Sequence, residues 1–227
     1  MLEEMNALLQ FSVANFRSIY RRKTLVLKAS SIKDEPRLNV ISYDKVRFLR
    51  TCALYGANSS GKTNVIMAMA FMTVMMKESA KLNDGDDLIY DPFALSTVSL
   101  GKPTLFEAVF VVDKRKYRYG FEYNETSILS EWLYVSTTRS VKETALFIRT
   151  PNGIGINHED FAEAENLESK TNANRLFVSL VAQIGGEDTI SKEVMTFFQN
   201  FNVISGLDDI GYKDITKKIF LFKFSNF

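Results

Sequence analysis

The sequence predicts an α/β fold of α+β character, in which a strand, a glycine-bounded loop and a helix are followed by an antiparallel meander. Three observations carry this expectation. Residues 46–55 are largely apolar and stop at Gly56, the pattern of a strand running into a tight turn. Residues 62–77 hold no Gly or Pro and are rich in Met and Ala, helix formers that leave a helix apolar around most of its circumference. Residues 104–149 then break into short runs of β-branched and aromatic residues separated by turns.

Taken in order, residues 8–13 and 24–29 are two short strands joined by a basic stretch that holds Arg17, Arg21, Arg22 and Lys23. Residues 30–46, with Pro36, form a loop. The strand over 46–55 is expected to be buried, with Cys52 as a buried thiol. On the helix over 62–77, Met67, Met69, Met72, Met75 and Met76 pack the core. Residues 79–103 are a loop rich in Asp, Gly and Pro. Strands follow at 104–112, 115–123, 127–136 and 144–149, the first three joined by the short turns Asp113-Lys114 and Asn124-Glu125-Thr126. Trp132 and Tyr134 alternate and so share a face, with core packing the expected use. From residue 161 to 200 the pattern is helical, with Leu176, Phe177, Leu180, Val181 and Ile184 on one face and Val194, Phe197 and Phe198 on another. The chain thus divides into residues 1–100, 101–157 and 158–227, all parts of one domain.

A chain of 227 residues with 46% hydrophobic and 24% charged residues is an ordinary globular protein able to bury a core without staples. Its single cysteine, Cys52, excludes an intrachain disulfide, and with His158 as the only histidine structural zinc is excluded too. Lys plus Arg is 28 against 27 for Asp plus Glu, a net charge of +1, so no overall field draws the chain to nucleic acid or an anionic membrane. Any nucleic-acid contact must be local. The N-terminus is acidic where a secretory signal is basic, and no apolar run approaches the roughly 18 residues of a spanning helix. A cytoplasmic location is expected.

Residues 56–63 read Gly-Ala-Asn-Ser-Ser-Gly-Lys-Thr, a full match to the phosphate-binding pattern G-x-x-x-x-G-K-[ST]. Gly56 and Gly61 allow backbone conformations and close approach that side chains forbid, so that successive amides of Ala57, Asn58, Ser59 and Ser60 converge on an anion. The helix that follows adds its N-terminal amides, Asn64 included, and its dipole. Lys62 is the residue for the β- and γ-phosphates of ATP, and Thr63 places its hydroxyl on Mg²⁺. Hydrolysis also needs a carboxylate on the metal at the end of an apolar strand. Two segments offer one: residues 108–113 ending in Asp113, which also read as a hairpin tip, and residues 202–209 ending in Asp208 and Asp209, interrupted by Gly206.

The phosphate loop, together with Asn-Phe-Arg-Ser at residues 15–18 some forty residues earlier, resembles the start of ABC-type ATPases of the SMC, RecF and OLD kind. The segments at residues 117–122, 131–134 and 146–149 bring it nearest to the AAA-type ATP-binding proteins of phage-defence loci, the AbiLi or RloA type. The resemblance spans residues 8–200. It implies a phosphate-loop NTPase with an ABC-type nucleotide-binding core, an antiparallel β subdomain and the start of a helical lobe. It also implies that residues 15–18 lie beside the nucleotide, with Arg17 near its phosphates or base; a solvated basic turn is the other reading.

Those families carry an LSGGQ-like segment, a Walker B Asp-Glu pair and a switch histidine in a C-terminal half, and none is recognisable here. His158 reads as a surface turn residue and Gln183 as part of a helix. The resemblance therefore implies an N-terminal portion of a longer ATPase, partnered by a C-terminal ATPase half or a second subunit in a homo-oligomer, with a nuclease or effector downstream. One alternative is a complete small phosphate-loop kinase, disfavoured because such folds alternate strands and helices; the other is a non-catalytic ATP-binding fragment that acts as an interaction module.

Overall fold

A computed structural model describes residues 5–30, 36–58 and 60–203 of the chain. Its strands are β1 (Asn6–Ala14), β2 (Lys23–Val26), β3 (Val40–Tyr43), β4 (Val46–Leu49), β5 (Thr104–Val112), β6 (Arg115–Tyr123), β7 (Ile128–Thr137), β8 (Thr144–Thr150) and β9 (Gly153–Ile156). Its helices are α1 (Pro36–Asn39), α2 (Lys62–Glu78), α3 (Phe177–Ile184) and α4 (Ile190–Gln199). Seven strands form one sheet in the order β2-β1-β5-β6-β7-β8-β9, antiparallel at every junction, while β3 and β4 form a separate hairpin. The two N-terminal strands are therefore continuous with the meander. The character is α+β.

Alternation sorts the sheet's residues onto two faces. Phe106 and Phe110 of β5, Tyr117, Tyr119 and Phe121 of β6, and Leu133 of β7 face inward and are fully buried beneath the helices. The helix α2 meets this face through Met69, Met72, Met75 and Met76. At its edge the ring of Phe71 lies 5.8 Å from Phe16 and 6.0 Å from Phe106, and Phe16 lies 5.4 Å from Phe106. Such ring pairs contribute about 0.5–1.5 kcal/mol each beyond their buried area. The hairpin β3 and β4 covers part of the opposite face, where Val46 and Phe48 pack on Ala7, Leu9 and Val111.

Several expectations are corrected. The strand before the phosphate loop ends at Leu49, not Tyr55. Residues 52–55 make no strand, and Cys52 and Tyr55 are exposed, the latter 92%. β4 is paired with β3 and with residues 27–29, and no described strand pairs with the segment beyond it. An apolar segment without ladder partners or cover stays irregular. The supposed loop at 30–46 contains α1 and β3, closed onto β4 by a two-residue turn with Asp44 at φ 52°. The helical stretch is shorter than expected, because residues 162–170 hold only two 3-10 turns and Gly185 and Gly186 separate α3 from α4. Ile184 is exposed, as is Met67 on α2.

Trp132 and Tyr134 do not enter the core. They lie on the outer face, where Trp132 covers Gly120; a Cβ at Gly120 would come within 2.6 Å of the indole. The indole N–H donates to Glu107 at 3.1 Å, and Glu107 also receives Arg22 and Arg118. Arg118 stands 4.0 Å over the Tyr134 ring. Arg118 is thus a paired strand residue on the outer face.

One buried charge organises the inner layer. Glu131, fully buried, accepts hydrogen bonds from the amides of Phe177 (2.7 Å) and Val178 (3.1 Å) and from the Tyr119 hydroxyl (3.0 Å). It caps the first turn of α3. Burial pushes its carboxyl above the ordinary value, against the pull of Arg149 and these donors. Arg149 in turn donates to the carbonyls of Asn172, Ala173 and Arg175. Glu131→Ala, by uncapping α3 and leaving Arg149 without its counter-charge, should cost about 3–5 kcal/mol, read as a lowered urea midpoint; an unchanged midpoint would show that the cap contributes nothing.

At the hairpin turn, Arg139 and Thr138 hydrogen-bond Asp44 and hold its carboxyl down to about 2. An ordinary aspartate titrates near 3.9, so this link is intact above about pH 4 and is lost as pH falls toward 2. The stability difference between wild type and Asp44→Asn should therefore shrink across that window in denaturation curves taken at several pH values; a constant difference would contradict the assignment.

Candidate functional site: the phosphate loop and the turn beside it

Geometry favours glycine at both ends of the loop, most strongly at Gly61. Gly61 adopts φ 90°, a left-handed conformation, and a Cβ on it would come within 3.0 Å of the Ser18 hydroxyl. A Cβ on Gly56 would come within 2.9 Å of Ser60 Oγ. Lys62 folds back over the loop, its ammonium donating to the carbonyls of Gly56 and Ala57 at 2.7 Å each and to Ser60 Oγ at 3.4 Å. The three donors of the ammonium are thereby matched by three loop oxygens, and the cation sits at the loop's centre.

Helix α2 starts at Lys62 without a side-chain cap. The amides of its first turn are the orphan donors of any helix, and together with the dipole they favour an anion. Thr63 is exposed and its hydroxyl engages no partner among the described residues. Ala57 and Asn58 are likewise exposed, and Ser59 lies outside the described residues. An apolar groove of about 690 Å³ runs beside the loop; Lys62 and Thr63 line it together with Leu25, Leu54, Ile66 and Met67.

Residues 15–18 are brought against the same loop. The Asn64 side chain donates to Ser18 Oγ at 2.7 Å. The turn that presents Ser18 is tight: Asn15 and Arg17 both have φ 49°, and Phe16 and Ile19 exchange backbone hydrogen bonds of 2.9 and 2.8 Å. Left-handed backbone costs roughly 1–2 kcal/mol at a residue such as Arg17, so its surroundings must hold it. They do so on both sides. The buried Asn15 side chain donates to the Lys102 carbonyl at 2.6 Å and accepts the Phe93 amide at 3.1 Å, while the Arg17 amide donates to the Asp91 carbonyl at 2.8 Å. Arg17 is exposed and gives its Nε to the Asp91 carboxylate at 2.8 Å.

The carboxylates considered for the metal lie elsewhere or outside the described residues. Asp113 is the first residue of the turn between β5 and β6, with φ 50°, and its Oδ1 accepts the Met5 amide at 3.1 Å. It borders a separate cavity of about 800 Å³ with Tyr43, Lys192 and Glu193, which shares no lining residue with the groove. Asp208 and Asp209 lie outside the described residues. Among the described residues no group of three or more His, Cys, Asp or Glu is placed to hold a metal. His158 is an exposed turn residue, and Gln183 is an exposed residue of α3. No described helix is long and apolar enough to cross a membrane.

The role of Ser18 as a contact of Asn64 is not legible from spacing, since 46 residues separate them. The signal available was the identity of the turn itself, an Asn followed by a buried aromatic.

Residues 52–190 match the family described as "AAA domain, putative AbiEii toxin, Type IV TA system". No curated protein and no solved structure matches the chain. The match begins at Cys52, so the turn at residues 15–18 lies outside it, and the contact of Ser18 with Asn64 is what places that turn beside the loop. The matched stretch contains the complete phosphate loop and its helix, five of the sheet's strands in full and all of α3. Because it covers more than half of the 227 residues, the protein belongs to this family of AAA domains, a family of phosphate-loop ATPases.

Proposed function

We propose that the chain is a Mg-ATP-binding module of an ABC-type ATPase related to the SMC, RecF and OLD group, acting as a nucleotide-driven switch in a DNA- or RNA-associated defence or repair system. The observation that carries this reading is the uncapped start of α2 with Lys62 centred over a glycine-bounded loop. In this reading the amides of residues 57–64 and Lys62 take the phosphates, Thr63 holds Mg²⁺, and Arg17, whose two terminal nitrogens are not used by Asp91, reaches the nucleotide from the neighbouring turn. The defence role rests on the family's abortive-infection description.

Two features support a half-site completed by another polypeptide surface. Among the described residues no carboxylate lines the groove beside Thr63, and no group of three or more His, Cys, Asp or Glu is placed to hold a metal. Exposed apolar side chains surround the loop as well: Leu54 is 39% and Tyr55 92% exposed, and Met67 and Val74 of α2 face solvent beside the groove or beyond it. Apolar surface of this kind marks an interaction site. A C-terminal ATPase half or a second subunit would cover it and supply the missing carboxylate, and a nuclease or effector would read the switch. The kinase reading finds no favouring observation, since every strand pairing among the described residues is antiparallel.

The test is calorimetric titration of the chain with Mg-ATP, with phosphate release followed on the same sample. Lys62→Ala removes charge-assisted hydrogen bonds of about 1.5–3 kcal/mol, so the dissociation constant should rise roughly ten- to a hundredfold. A folded Lys62→Ala variant with an unchanged constant would contradict the site. Steady phosphate release by the wild type alone would contradict the half-site.

A further inference from the structure

The turn at residues 15–18 does more than pass the loop. Its two left-handed residues, Asn15 and Arg17, fall within three positions, and strain concentrated in this way is retained where a position must be exact. What the strain presents is Ser18. This residue is exposed and therefore not needed for core packing, yet its hydroxyl accepts the Asn64 side chain at 2.7 Å and stands 3.0 Å from where a Cβ of Gly61 would be. Asn64 is the third residue of α2, directly after Lys62 and Thr63. The start of this helix has no cap of its own, and an uncapped first turn frays unless something outside the helix fixes it.

We propose that Ser18 is a positioning residue for the phosphate loop. By anchoring Asn64 it holds the first turn of α2 and the left-handed Gly61 in the arrangement that aims the loop's amides at the phosphates. The anchor is rigid because Asn15 and the Arg17 amide tie the turn to residues 91–103. Ser18 itself does not touch the nucleotide. The inference rests on the reading of residues 56–63 as a nucleotide site.

The experiment is a double-mutant cycle on the full chain, with Mg-ATP dissociation constants measured for Ser18→Ala, Asn64→Ala and the double variant, and Lys62→Ala as the reference. One hydrogen bond lost at the site should raise the constant about three- to tenfold in Ser18→Ala. In the Asn64→Ala background the same substitution should change it by less than about twofold, because the anchor is already gone. The thermal midpoint without nucleotide should not move in Ser18→Ala, which separates positioning from folding. An unchanged constant in Ser18→Ala while Lys62→Ala binds more weakly would overturn the inference and leave the site standing. Equal effects of Ser18→Ala in both backgrounds would also overturn it. Unweakened binding by Lys62→Ala would remove the phosphate-loop reading itself, and the inference with it.

Discussion

The packing of Phe16 between Phe71 of α2 and Phe106 of β5 is the contact on which the site's geometry depends. Phe16 belongs to the strained turn, Phe71 to the helix that the phosphate loop opens, and Phe106 to the centre of the sheet. Three segments distant in sequence therefore converge on one buried cluster, and their relative positions are fixed to within the tolerance of close packing. Given that anchor, Ser18 and Gly61 have no choice but to meet. The strain at Arg17 is sustained because moving the turn would withdraw Phe16, only 1% exposed, from the core.

The two faces of the sheet solve different problems. Inward, aromatic side chains from β5 and β6 form an apolar layer under the helices, and its single carboxylate, Glu131, is spent on capping α3. Outward, the face is half-buried and mixed: Glu107 collects Arg22, Arg118 and the Trp132 indole, while the β3 and β4 hairpin covers the apolar end. The sheet is thus a scaffold whose inner layer positions α2, and whose outer layer leaves β4 pointing its chain toward the phosphate loop.

Much of this was legible in the sequence. The meander follows from alternating Phe, Tyr and Val with two- and three-residue turns, and α2 from a Met- and Ala-rich run behind Gly61. The phosphate loop needed only its motif. What failed were features set by partners rather than by local pattern. Cys52, Leu54 and Tyr55 have the composition of a buried strand, but nothing among the described residues pairs with them. Trp132 has the composition of a core residue, yet the missing side chain of Gly120 offers it a seat on the outer face. The hairpin of β3 and β4 was hidden because Val40, Ile41 and Tyr43 make too short an apolar run to stand out from the polar residues around them. Contacts across 46 residues, such as that of Ser18 with Asn64, leave no periodic trace at all.

The central claim, that the turn at residues 15–18 and the loop at residues 56–63 form one nucleotide site, is tested most directly by amide hydrogen exchange with and without Mg-ATP. The account requires the nucleotide to slow exchange in both segments together while β7 and β8 stay unchanged. Protection confined to residues 56–63, or absent from both segments, would contradict it.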